Sequence, residues 1–229
     1  MPKIQKTLIF VLLLFTLLLT ACYDNQKEPL KPKKVLLDGT ASEENYNLAQ
    51  KHFSEGEYDK ALEFHLKQLE EDLKYYEDLS LEIALDYNNI GLDYDVLKNY
   101  EKALEYYLKT MKIDEIILDK NSTERSTTYY NLASSYSALD KYTNAIKYYL
   151  KALAIDKSIL GAYHENLLAE YEGLAMAYEN KSKLNSALRY WRKSLDYKEH
   201  QYGKYDLDSN ETRAKVAELK IKIEAKLNR

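Results

Sequence analysis

Residues able to do chemistry are few and scattered in this 229-residue chain. Its histidines are His52, His65, His164 and His200, and no two stand four apart, so the two-imidazole grip on a metal from one helix face is missing. His52 and His65 fall where aromatic residues recur, which reads as ring packing, and His164 falls in a turn. Among only six glycines there is no phosphate-cradling loop, no Gly-x-Ser-x-Gly and no acidic calcium loop. Carboxylate pairs such as Glu43-Glu44 and Glu70-Glu71 read as solvated helix faces. The single cysteine, Cys22, allows neither an internal disulfide nor a cysteine-built zinc site. These readings predict no catalytic group, no metal and no cofactor, hence not an enzyme. Two chemistries remain. One is the thiol of Cys22. The other is a set of side-chain amides at fixed spacing, Asn47, Asn89 and Asn131, each 42 residues from the last. An amide offers one acceptor and two donors and can pair with the backbone of an extended peptide whatever its side chains. The alternative is local hydrogen bonding alone.

The same spacing organises the elements that hold these residues. Tyr87-Asn-Asn-Ile-Gly-Leu-Asp-Tyr94 with Tyr100-Glu-Lys-Ala-Leu-Glu-Tyr-Tyr107 returns as Tyr129 to Tyr136 with Tyr142 to Tyr149, and as Tyr171 to Tyr178 with Leu184 to Trp191. A weaker copy precedes them, Asn45 to His52 with Tyr58 to His65. Ala61, Ala103, Ala145 and Ala187 mark one small slot, and Ala49, Gly91, Ala133 and Ala175 another. Apolar residues three and four apart make one helix face, and small residues let a second helix come close. The pattern predicts paired helices at about 41–54 and 57–76, 80–97 and 100–118, 122–138 and 141–159, and 165–181 and 184–202. Thr40-Ala-Ser-Glu43, Asn121-Ser-Thr-Glu124 and Asp208-Ser-Asn-Glu211 read as helix caps, the last opening a ninth helix with a polar outer face over 209–229. Glu55-Gly56, Lys98-Asn99, Gly161 and Gly203 read as breaks. One helix pair cannot bury its apolar face alone, so the pairs must stack, and a polar last helix would shield the end.

The order aromatic, Leu-Gly, Tyr, Ala, aromatic resembles the tetratricopeptide repeat. Tyr87, Ile90, Gly91, Tyr94, Ala103 and Tyr107 fill it in the second copy, and the third and fourth follow in phase. The period is eight residues longer than the usual one of about 34, which is similar to the kinesin-light-chain-like subclass. Gly161-Ala-Tyr-His164 looks like that subclass's inter-repeat turn, with Glu165 where proline often stands. The resemblance covers roughly 41–208 and implies an all-α fold, a right-handed α-solenoid of four helix pairs plus the capping helix. It implies that first helices line a concave groove, with the asparagines as a ladder along it. Gly173 replaces asparagine in the fourth copy. Flanking slots are Tyr46, Gln50 and Phe53, then Asn88, Leu92 and Asp95, then Tyr130, Ser134 and Ser137, then Glu172, Met176 and Glu179. None is basic, which argues against a clamp for a ligand's terminal carboxylate. Glu172 and Glu179 predict a ligand with basic character at that end.

The N-terminus is of another kind. Lys3 and Lys6 precede an apolar run, Leu8 to Leu19, broken only by Thr16. It is too short to span a bilayer, which needs ~20 residues, and has the length of a signal-peptide core. It ends in Leu19-Thr20-Ala21-Cys22, which resembles the bacterial lipobox. The resemblance implies a leader over 1–21, cleavage before Cys22 and acyl chains on its thiol, each buried methylene adding about 0.8 kcal/mol of membrane affinity. An ordinary leader or uncleaved anchor is the alternative. Residues 22–40, with Pro29 and Pro32, read as a tether. Tyr23 rather than aspartate after the cysteine implies the periplasmic face of the outer membrane in a Gram-negative cell.

Hydrophobic residues make up 45% and charged residues 31%, an ordinary mixture for a water-facing domain. Formal charge is −4, and loss of Lys3 and Lys6 with the leader takes it to −6. Interleaved, mildly acidic charge argues against a nucleic-acid partner. The expected partners are a protein or extended peptide, and a membrane through Cys22. A lipid-anchored adaptor is the leading reading, with a self-associating envelope protein and a regulator of an envelope enzyme as competitors.

Overall fold

The computed structural model describes residues 40–228, all of the secondary structure among them helical. Cys22, the leader and the tether to residue 39 lie outside these residues. The helices are α1 (Thr40–Ser54), α2 (Tyr58–Tyr75), α3 (Leu81–Val96), α4 (Tyr100–Ile117), α5 (Thr123–Ala138), α6 (Tyr142–Ile159), α7 (Glu165–Asn180), α8 (Leu184–Gln201) and α9 (Leu207–Leu227). Each packs mainly on its neighbours in sequence, and the first helices also meet across units, α3 with α5 and α5 with α7. That is the contact pattern of an α-solenoid of four helix pairs closed by a ninth helix. The first helices form its inner, concave wall. Among the described residues no helix is long and apolar enough to cross a membrane.

Sequence spacing explains the packing. The eight small slots are buried, seven of them alanines at 0% exposure and the eighth Gly91. Around them the rings repeat. Tyr94 stacks on Tyr106 at 5.7 Å, Tyr136 on Tyr148 at 5.6 Å and Tyr178 on Tyr190 at 5.7 Å. In the first unit His52 takes the tyrosine's place and stacks on Phe64 at 5.4 Å. Offset ring pairs of this kind add about 0.5–1.5 kcal/mol beyond the area they bury.

The turn inside each pair is also periodic. Gly56, Lys98, Asp140 and Ser182 all have φ between 56° and 79°, the left-handed region, although three carry side chains. The next residue donates back five positions in every unit, Glu57 to His52, Asn99 to Tyr94, Lys141 to Tyr136 and Lys183 to Tyr178, at 2.8–2.9 Å. This closes the first helix by the backbone alone.

Three caps differ from the sequence reading. Thr40 already lies inside α1 and does not precede it. Ser122, not Asn121, caps α5, accepting from Arg125 N at 3.2 Å. Asp206, not Asp208, caps α9, accepting from Asp208 N at 2.9 Å. Packing sets that last boundary, because Ser209 and Thr212 are needed as buried helical residues against α8. The outer face of α9 is not uniformly polar either, since Ile221 is 65% and Leu227 80% exposed.

Candidate functional site

The concave wall carries the candidate residues, but not as a row of equivalent free amides. Asn47 is exposed. Asn89 is half-buried, and its Nδ2 is enclosed without a partner. Asn131 donates from Nδ2 to Asn88 Oδ1 at 3.0 Å, which ties α5 to α3. Tyr46 is half exposed, and Gln50 places its amide 3.3 Å from the Nε2 of buried His65. Tyr130 is half-buried with its ring edge on Tyr149 at 5.6 Å. Burial, and next the Glu170 carboxyl, raises its phenol pKa. Ser135 Oγ donates to Asp95 at 2.9 Å, a second tie between α5 and α3.

Gly173 ends the ladder because a ring occupies the space. A Cβ there would lie 2.8 Å from both Cε atoms of Tyr149. Gly91 faces Tyr107 in the same manner, with a Cβ at 2.6 Å from the ring. Each of these tyrosines has two flanking slots on first helices, sixteen residues before it and twenty-four after. Tyr107 has Gly91 and Asn131, and Tyr149 has Ala133 and Gly173. Each ring lies against whichever slot is glycine. The equivalent residue of the first unit, between Ala49 and Asn89, is the smaller His65, held by Asp93 at 2.6 Å.

The acidic end expected at Glu172 and Glu179 is neutralised. Lys198 Nζ lies 2.8 Å from Glu172, which also accepts from Ser194 Oγ at 2.8 Å, and Lys215 Nζ lies 3.0 Å from Glu179. The lysines come from α8 and α9, helices that the groove reading left out, so the basic ligand end predicted from sequence loses its basis.

Two clefts were not foreseen. Between α3 and α5 an opening of about 200 Å³ is lined by Leu81, Leu85, Asn88, Asp114 and Thr127. Between α5 and α7 one of about 220 Å³ is lined by Thr127, Tyr130, Asp156, Asn166, Ala169 and Glu170. Leu85, Thr127 and Ala169 are 42 apart, as are Asp114 and Asp156, so these are one site repeated. Each carries two acids, Asp114 with Glu124 and Asp156 with Glu170, and the first adds the apolar side chains of Leu81 and Leu85, 53% and 51% exposed. The signal in the sequence was leucine at two polar-face positions of α3.

The one cluster among the described residues with metal-binding atoms in reach of each other is His52, Glu55 and Glu57. His52 Nδ1 lies 2.6 Å from Glu57, which also holds Lys60 at 2.9 Å. An ion would first have to displace that lysine.

Stacked helix pairs around a groove with repeated side-chain clefts define a helical-repeat scaffold that recognises other proteins. The tetratricopeptide-repeat family profile matches residues 42–116 and 124–200, and the chain belongs to that family. Among solved structures it is similar to the kinesin light chain nearly identical TPR-like repeats of Podosopora anserina, at 16% identity over 77% of this chain and 84% of that one, TM-score 0.68. BtubC (BKLC) from P. vanneervenii matches at 22% identity over 79% and 72%, TM-score 0.66, and the apo form of RapI at 16% over 80% and 69%, TM-score 0.66. At these identities the likeness shows the fold alone. No curated protein matches the chain.

Proposed function

We propose that this chain is a lipid-anchored adaptor of the bacterial cell envelope, and that its groove holds an extended segment of a partner protein. The repeated cleft carries this reading. A strand-like ligand crossing α3, α5 and α7 would place one side chain in the apolar Leu81–Leu85 opening and a later one in the opening at Ala169. Asn88 and Asn131 sit beside this path and would contribute amide contacts to the ligand backbone. Anchorage rests on the Leu19-Thr20-Ala21-Cys22 motif behind a short apolar run. Tyr23 favours the periplasmic face of the outer membrane if the cell is Gram-negative.

The test is a photo-crosslinking amino acid placed at Leu85 or Thr127 in the groove, or at Ile116 of α4, which is 50% exposed, in the intact cell. Discrete adducts should form from the groove positions only. Equal labelling from Ile116, or none from either groove position, would refute the adaptor reading. Labelled palmitate should be incorporated and lost with Cys22→Ser.

Self-association is the second reading, favoured by exposed Ile221 and Leu227 on α9. A monomer by sedimentation of the full chain in detergent would remove it.

A further inference from the structure

Counting by 42 puts one pair of side chains across each joint between successive units: Asp72 with Asp86, Asp114 with Thr128, Asp156 with Glu170, and Lys198 with Thr212. The first three pairs are buried, each residue 1–5% exposed. In the central joint Thr128 Oγ1 donates to Asp114 at 2.7 Å, and in the last Lys198 Nζ lies 3.1 Å from Thr212. In the other two an acid stands in both slots, Asp72 facing Asp86 and Asp156 facing Glu170.

Two carboxylates in buried contact cannot both be ionised, so each pair must hold a proton. The surroundings say which member holds it. Asp72 accepts from Ser42 Oγ at 2.6 Å, and Asp156 accepts from Asn166 Nδ2 at 2.8 Å, so each already has a donor outside the pair. Among the described residues, both oxygens of Asp86, Oε2 of Glu170 and Oδ1 of Asp156 have no hydrogen-bond donor. The charged groups bearing on Asp86 are Asp72 and Glu82, with the Tyr76 phenol nearby. Asp156 bears on Glu170, with the phenols of Tyr130 and Tyr171 beside it. Among the described residues no cation bears on either acid.

We propose that the joints between the first and second and between the third and fourth helix pairs are each locked by a proton shared between two carboxyl groups. Losing these protons loosens those two joints and leaves the central Asp114–Thr128 joint closed. Because α5 and α7 meet across the joint between the third and fourth pairs, the groove there then changes shape with pH.

Burial first, and the partner aspartate second, push Asp86 up to about 8 and Glu170 up to about 9. Both values are raised above those of the unfolded chain, about 4 to 4.5. Between the unfolded and folded values the folded chain binds one more proton per pair. Stability therefore falls as pH rises through that window and levels off above it. Each pair contributes up to a tenfold loss in the folding constant per pH unit.

The experiment is urea unfolding of the full chain in detergent at pH about 5.5, 6.5 and 7.5, followed by helical circular dichroism. Relative to wild type, Asp86→Asn and Glu170→Gln should each remove close to a factor of ten per pH unit from the rise of the unfolding constant. The double variant should remove nearly a hundredfold. If either amide fails to fold, Asp86→Thr or Glu170→Thr copies the residue the central joint already uses at Thr128. Unchanged slopes in the variants would overturn the proposal. Hydrogen exchange between pH about 7 and 9.5, corrected for intrinsic rates, should accelerate at α2–α3 and α6–α7 before α4–α5. Uniform acceleration would refute the selective opening.

Discussion

Gly91→Ala sets two effects of opposite sign against each other. Removing a glycine from the middle of α3 should gain about 1 kcal/mol from helix propensity alone. The new Cβ would lie 2.6 and 2.7 Å from Cε1 and Cδ1 of Tyr107, which is 1% exposed. Ordinary contact begins near 3.4 Å, so the ring must retreat by about 0.8 Å in an interior packed at density ~0.75. Forcing a methyl into such a site costs about 1–3 kcal/mol. The clash outweighs the propensity gain, and the net loss is up to about 2 kcal/mol. For a domain of this size the melting temperature falls by up to roughly 8 °C. The ring has one other place to go, the slot at Asn131, which is closed by a side chain. Opening it with Asn131→Gly rebuilds the arrangement of Ala133, Tyr149 and Gly173 one unit further on. Asn131→Gly alone loses the bond to Asn88 and some helix propensity, about 1–2 kcal/mol. Additivity would make the double variant the worst of the three. The ring-swing argument makes it no less stable than Asn131→Gly alone, a coupling in a double-mutant cycle at least as large as the loss measured for Gly91→Ala. Thermal denaturation of all four proteins decides. A stabilised Gly91→Ala, or strict additivity, would refute the reasoning.

The left-handed turn slots predict gains. Lys98→Gly and Ser182→Gly should each raise the urea midpoint by the equivalent of about 0.5–1 kcal/mol, and Asp140→Gly by less, because aspartate tolerates that conformation better. Leu219→Ala in α9, fully buried against α8, should cost about 2–4 kcal/mol in chemical denaturation. Changing Asn89 and Asn131 together to alanine should abolish groove crosslinks from a photoreactive residue at Leu85 while circular dichroism stays helical. Persisting crosslinks would show that the amides serve the fold and not a ligand. Lys198→Met should leave the Glu172 carboxylate without its ion pair and raise affinity for basic peptides, read by fluorescence anisotropy.

The helix pairs were legible because their signal is local. Spacing of three and four within a helix, glycine at Gly56 and a repeat of 42 all act within a few turns of chain, and the observed helices fall within a few residues of the ranges read from the sequence. The small slots were legible for the same reason, since close approach of two helices requires alanine or glycine wherever it occurs. The candidate site was less legible. Asn47, Asn89 and Asn131 share a slot in the sequence, yet one is exposed, one encloses an unpaired amide nitrogen and one is tied to Asn88. Glu172 and Glu179 look free until Lys198 and Lys215 arrive from helices behind them. The pairing of Asp86 with Asp72, and of Glu170 with Asp156, needs two helices brought together across a joint. The sequence by itself determined the period, the helices and their order of stacking, because these follow from side-chain size and spacing along one chain. The tertiary structure alone decided which polar groups are free, paired or forced to share a proton, because that depends on desolvation and on neighbours distant in sequence.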